Sequence, residues 1–538
     1  MSFSNETVSG GTLVRDLPEQ WRAAFERDQK ATFLGNDPLP ERRAARALAA
    51  FIATGLVFVF LPGTVLGVWN LLSIADERTN TGASTAWIQA HGQAQLFGWV
   101  GTFILGISLY VLPKFLGRVL TRFRLVWTVW ALWTAGAAWH WWAGVSLEHW
   151  RTGLIGSAIL QLAGFALSQY LLWFDRGGNA DSGKVQKPFP GDLASWLGVV
   201  GFASFGVALL LNLGISTALA RHAALPVYPP AWDRTFLLIS LWGFAIPVAW
   251  GYSSRFITIF VGLEKPVQKS AKWLAMGVAV IVICALAGKF LAADALAVAL
   301  TAAAIYVLQV FRPSVREPKR LGVYGDYPIF ARIAFGWVAV GAVLGVWADL
   351  APKITGLGGA SRHALTVGFL ATLIFCVAPL ILPSFLSGRE LRSIGLMAAS
   401  LWLLEIGCLL RVTSEAVAYS HGGFLWSLLP VSGWLELTAV CLFVLNMGMT
   451  MLQPLPAWFS PSGIQPSMSV YFCVASFPKT RQLFVKSGLK TLAHAPSIPR
   501  TLSIAEAAAA DGADAGQVMS MLREFFGKRQ PRRRGREP

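Results

Sequence analysis

An all-α polytopic membrane protein is what three properties of this sequence require. Of 538 residues, 55% are hydrophobic and 14% charged, with a mean hydropathy of +0.54, far too apolar for a soluble globular chain of this length. The apolar residues come in runs of about twenty, the length at which an α-helix crosses the hydrocarbon of a bilayer. The basic residues behind the net charge of +17 sit in short clusters between those runs and in the tail from Gly527. That is the pattern of positive-inside topology, so the charge addresses a bilayer and no nucleic-acid partner is expected.

The elements follow in order. Residues 1–44 mix Arg15, Asp16, Glu19, Arg22, Glu26 and Arg27 and contain no small-residue cleavage site, so this segment is expected to stay attached and cytosolic. A membrane domain over 45–455 holds about twelve spans, near 48–73, 91–113, 124–144, 153–174, 193–214, 235–258, 272–290, 294–311, 329–348, 363–385, 392–411 and 428–452. The connections with Lys114/Arg118/Arg122/Arg124, Arg176/Lys184/Lys187, Lys265/Lys269/Lys272, Arg312/Arg316/Lys319/Arg320 and Arg389/Arg392 all follow even-numbered spans and are the more basic set. Both termini are therefore expected inside, in a bacterial inner membrane. Pro456, Pro461 and Pro466 mark a linker over 456–465, ahead of a polar, amphipathic, helical soluble domain at 466–526 and a basic tail at 527–538. The five cysteines are scattered without a Cys-x-x-Cys pair, so neither a disulfide framework nor a zinc knuckle is indicated.

Span two reads His91-Gly-Gln-Ala-Gln-Leu-Phe-Gly-Trp-Val-Gly-Thr and closes at Leu112-Pro113. At helical spacing His91, Gln95, Gly98 and Thr102 form one small or polar face, suited to a close neighbour. An imidazole at the mouth of an apolar helix needs a partner or a metal. Span ten begins similarly, Ser361-Arg362-His363-Ala-Leu-Thr-Val-Gly368, and runs in the same direction, so His91 and His363 are expected at matched depth near the outer face. Two such rings can provide both axial ligands of a haem iron. His140 lies near the outer end of span three, and His149, His222 and His421 fall in outer loops, where solvated histidines are ordinary. Spans two and ten both end Leu-Pro followed by Phe-Leu, and span six runs the same way, which suggests three pseudo-equivalent four-helix units. Glu405 and Glu436 lie deepest in apolar runs, and two carboxyls there could share a proton and handle protons for the outer side; each bonded to a facing helix is the structural alternative.

On these residues the chain resembles two related families. The helix His-x-x-x-x-Leu-Phe-Gly-Trp-Val-Gly-Thr-Phe-Ile-Leu-Gly looks like helix two of subunit I of haem-copper oxidases and nitric oxide reductases. His91 with Leu96-Phe97-Gly98 and Leu112-Pro113, together with His363-Ala-Leu-Thr-Val-Gly368, is more closely similar to the NnrS family of membrane proteins of nitric oxide stress. The resemblance implies a b-type haem between His91 and His363, copper at outer histidines such as His140, and nitric oxide metabolism or resistance. It also offers Arg362 to a haem propionate, against the alternative of a snorkelling interfacial cation. The chain departs from the NnrS pattern in reading His91-Gly-Gln93 for a His-x-His pair and in having no histidine over Ser384 to Gly388. It departs further from the oxidases, since spans six and seven lack the copper-binding histidines. Two imidazoles on one iron leave no open position, which fits electron transfer or sensing, whereas loss of one would admit nitric oxide. The competing readings are a metal-free transporter coupled through Glu405 and Glu436, and a degenerate oxidase-like subunit. The string Ser467 to Gly488, with Thr501 to Ala507 and Gln517 to Leu522, resembles the small N-terminal domain of ScdA-type iron-centre repair proteins. Where that family has adjacent cysteines, Leu489 to Arg500 offers only His494, which points to an interaction module.

Overall fold

The computed structural model describes residues 16–30, 38–79, 81–115, 120–175, 191–319, 322–385, 391–453 and 464–527, apart from 478, 496, 497 and 500. Pro456 and Pro461 of the linker, the tail beyond Gly527, and Arg118, Arg176, Lys184, Lys187, Arg320 and Arg389 lie outside the described residues. Among the described residues the only departure from helix and loop is one isolated antiparallel bridge, Ser469 to Ser503. Helix α1 (Glu19–Lys30) precedes twelve long helices. These are α2 (Arg43–Glu77), α3 (Thr85–Phe115), α4 (Phe123–Ser146), α5 (Trp150–Phe174), α6 (Leu193–His222), α7 (Pro230–Gly262), α8 (Gln268–Leu286), α9 (Phe290–Leu308), α10 (Tyr327–Leu350), α11 (Leu357–Pro383), α12 (Ile394–His421) and α13 (Leu425–Leu452). Five short helices follow: α14 (Val470–Ser476), α15 (Lys479–Lys486), α16 (Thr491–His494), α17 (Ile504–Asp511) and α18 (Ala515–Gly527).

Eleven of the twelve are long and apolar enough to cross a membrane by length and composition. The other, α4, is 24 residues long and carries Trp127, Trp130, Trp133, Trp139, Trp141 and Trp142. An indole scores low on hydropathy because of its N–H, yet its body is apolar and suits the membrane interface.

The twelve form a closed ring of three four-helix groups. The last helix of each group meets the first of the next: α5 packs on α6, α9 on α10, and α13 on α2. Helices α3, α7 and α11, the second of each group, form the centre, with 89%, 78% and 78% of their apolar stretch buried against 39–56% for α2, α5, α6, α8, α9, α10, α12 and α13. Each central helix widens into a π-helical turn within three turns of its start, at Ala94–Gly101, Ile239–Ala245 and Ala364–Ala371. Such turns interrupt the regular ladder and concentrate at functional positions. Stacked and edge-on rings join the centre, Phe97 against Phe236 and Phe205, and Trp99 against Phe375.

Several boundaries differ from the sequence expectation, and α6 runs to His222 instead of ending near 214, so that ring lies in a last helical turn and not in a loop. His91 and His363 do not open their helices: α3 begins at Thr85 and α11 at Leu357, so each ring sits in the second turn. In α3 the run from Thr85 is broken by Gln89 and in α11 the first turn is glycine-rich, so neither start shows in an apolar-run count. Helix α12 continues to His421 instead of ending near 411, because Arg411 and Glu415 interrupt the apolar run without breaking the helix. In the C-terminal part, the core of α14 to α18 is shared with the N-terminal segment: Leu17, Trp21, Ala24 and Phe25 are buried in one cluster with residues such as Cys473, Phe484 and Leu522. Residues 16–30 are thus part of that domain, and α14 packs in turn on α2.

Candidate functional site

His91 and His363, on the central helices α3 and α11, line one cavity of about 370 Å³ among α2, α3, α11, α12 and α13. Each ring is fixed by its inner nitrogen. His91 Nδ1 lies 2.9 Å from the carbonyl oxygen of Gly63. A carbonyl only accepts, so Nδ1 carries the proton and Nε2 keeps its lone pair. Gly63 lies in a π-helical turn of α2, Val59–Val65, that contains Pro62, whose missing N–H disturbs the ladder there. One turn on, Gly67 makes room for the ring: a Cβ on it would stand 2.6 Å from His91 Cε1.

His363 is held the same way and by one group more. Its Nδ1 lies 2.9 Å from the Gly359 carbonyl oxygen and 3.0 Å from Glu415 Oε2. Arg411, one turn before Glu415 on α12, places Nε 3.3 Å from that same carboxylate oxygen, and both side chains are buried. Gly356 and Gly359 let α12 approach, since a methyl on either would overlap Glu415. For neither histidine does Nε2 have a hydrogen-bond partner among the described residues. An imidazole with one nitrogen anchored and the other bare is free to act as a ligand.

The remaining candidates divide. Arg362 lines the cavity and is exposed. His140 lines it too, buried, with Nδ1 3.3 Å from Ser157 Oγ and its ring edge-on to Tyr228. Glu436 lines it with Oε1 unpartnered among the described residues. Glu405 faces elsewhere: its carboxylate accepts from Trp337 Nε1 at 2.7 Å and from Thr372 Oγ1 at 2.6 Å, and it does not line the cavity. The two acids on α12 and α13 thus have separate surroundings. His149, His222, His421 and His494 are exposed. Among the described residues no three of His, Cys, Asp and Glu converge closely enough to hold a metal ion.

Sequence reasoning missed Arg411, Glu415 and the cavity amides. Asn70 and Gln93 are buried on the cavity wall with both polar atoms unpartnered among the described residues. The i, i+4 spacing of Arg411 and Glu415 was the available signal, hidden because the helix was expected to end at 411. Buried unpartnered amides are costly in an apolar protein interior, so a wall carrying several is built to face something polar.

A comparison with curated proteins finds no match. Among solved structures, a cryo-EM structure of a haem-copper terminal oxidase dimer is similar, with a TM-score of 0.58 at 11% identity over 90% of this chain and 99% of that one. The likeness shows a common fold. The description "NnrS protein" matches residues 43–454, from the start of α2 to the end of α13, and the chain therefore belongs to the NnrS protein family.

Proposed function

We propose that this chain is a haem protein of the bacterial inner membrane, serving nitric oxide metabolism or resistance, with a b-type haem held between His91 and His363. One observation carries the haem: two imidazoles on central helices line one cavity, each anchored through Nδ1 and bare at Nε2. The lining suits such a group, with apolar Leu96, Val100, Leu404 and Val440 on the cavity wall and the cations Arg362 and Arg411 available to acidic substituents. A haem held by two imidazoles supplies reversible one-electron exchange. The chain's part is to orient both rings, through Gly63 and Gly359. The nitric oxide role is drawn from the family resemblance, and copper is left out because, among the described residues, no cluster of donors accompanies His140.

The test is a reduced-minus-oxidised spectrum of the detergent-purified full chain expressed with ample haem. Paired alpha and Soret bands are expected, and His91→Ala or His363→Ala should remove them while the protein still elutes as a folded species. A flat wild-type spectrum sinks the proposal.

A further inference from the structure

The two rings are not equivalent. His91 Nδ1 meets one neutral acceptor, the Gly63 carbonyl. His363 Nδ1 meets the Gly359 carbonyl and, at 3.0 Å, the Glu415 carboxylate. That carboxylate is buried at 8% side-chain exposure and ion-paired with Arg411, buried at 6%. The ring proton is donated to the Gly359 carbonyl, and the carboxylate charge 3.0 Å away, whose Oε2 makes no hydrogen bond among the described residues, favours positive charge on the ring and so leaves more electron density on the far nitrogen.

The local sequence builds this contact deliberately. Gly356-Leu-Gly-Gly-Ala-Ser-Arg-His363 puts Gly356, Gly359 and His363 on one face of α11, at i, i+3 and i+7. A methyl at Gly356 would overlap the Glu415 carbonyl oxygen, and one at Gly359 would overlap its carboxylate. The missing side chains therefore define the distance between the helices, and that distance brings the acid to the ring. Among the described residues no carboxylate is bonded to His91, where Gly67 only admits the ring edge.

We propose that Glu415 is a positioning residue that makes His363 the stronger donor of the pair and sets the haem to a low reduction potential. The inference rests on the haem reading above. An axial ligand with more anionic character favours the ferric over the ferrous state, so a carboxylate charge beside its ring lowers the potential. Arg411, sharing the same carboxylate oxygen, keeps the acid oriented and tempers its pull on the ring.

The experiment is an equilibrium redox titration of the haem-loaded full chain, with the electron paramagnetic resonance spectrum of its ferric form. Glu415→Gln removes the charge and keeps the shape; Gly359→Ala leaves the acid in the sequence and pushes it off the ring. Both are expected to retain haem, to shift the midpoint to more positive potential and to widen the spread of ferric g values. Glu415→Asp, which keeps the charge on a shorter arm, should shift both readouts less. Haem retained with unchanged midpoint and g values overturns the proposal, as does loss of haem from both variants, which would assign Glu415 to folding alone. If Glu415→Gln fails to fold, Gly359→Ala decides by itself. A wild-type protein without haem fails the functional reading first and removes this one with it.

Discussion

A buried polar group in a membrane protein either has a partner in a neighbouring helix or waits for one, and the ionisable residues of the ring sort cleanly by that rule. Glu405 is of the first kind. Its two oxygens take the Trp337 indole N–H and the Thr372 hydroxyl, tying α12 to α10 and α11. Glu405→Leu removes the acceptor of both bonds and leaves the Trp337 N–H facing an apolar side chain, at a cost of about 1–3 kcal/mol. The expected result is a lower Tm with haem content unchanged. Loss of solute flux in vesicles at undiminished stability would instead revive the transporter reading. Glu436, Asn70 and Gln93 are of the second kind, with buried atoms unpartnered among the described residues on the cavity wall. From sequence, Glu405 and Glu436 look alike, since both are single acids in apolar runs. What separates them is which way each points from its helix, and that depends on how α12 and α13 are rotated against their neighbours.

At the level of elements, run length located the twelve helices because hydrocarbon thickness dictates it. It could not locate the π-helical turns of α3, α7 and α11, which come from packing of the central helices and have no strong sequence code. Nor could it reveal that α1 completes a domain more than 430 residues away in the chain, since Trp21 and Phe25 read as stray apolar residues in a charged segment. That docking is joined at its edge by Arg27, whose guanidinium meets Glu506 Oε1 at 2.8 Å. Glu506 also closes a capping box at the start of α17, accepting from the Ser503 backbone N–H while the Ser503 hydroxyl accepts from the Glu506 N–H. Burial alone would raise the Glu506 carboxyl, but the Ser503 bonds and Arg27 outweigh it and hold the group below its ordinary value. A depressed carboxyl stabilises the fold above its unfolded value, and that contribution is lost as pH falls through the folded one. Proteolysis of residues 464–527 in the solubilised full chain should therefore accelerate on acidification below the usual carboxylate range. In Glu506→Gln the same cleavage should be faster at neutral pH and depend less on acid; an identical acid response in both forms would refute the assignment.

For the whole molecule, the shared core of α1 and α14 to α18 is a constraint on topology. Residues before the first membrane helix and after the last one pack together, so both lie on one side of the membrane and the number of crossings is even. The eleven helices that qualify on apolarity would place them on opposite sides. Helix α4 must then cross as well, despite its tryptophans, and the ring of three equal groups requires the same, since α4 stands third in the first group as α8 and α12 do in theirs. On the proposed inner-membrane placement, the basic connections after even-numbered spans would put the common side in the cytosol. Single cysteines in a background without the five native ones test this directly. Ser146→Cys, at the end of α4, should react with a membrane-impermeant maleimide in spheroplasts. Thr121→Cys, just before α4, should react only after the membrane is opened. Equal labelling of the two from outside would mean that α4 does not cross, and the even count, the closed ring and the matched depth of His91 and His363 would fall together.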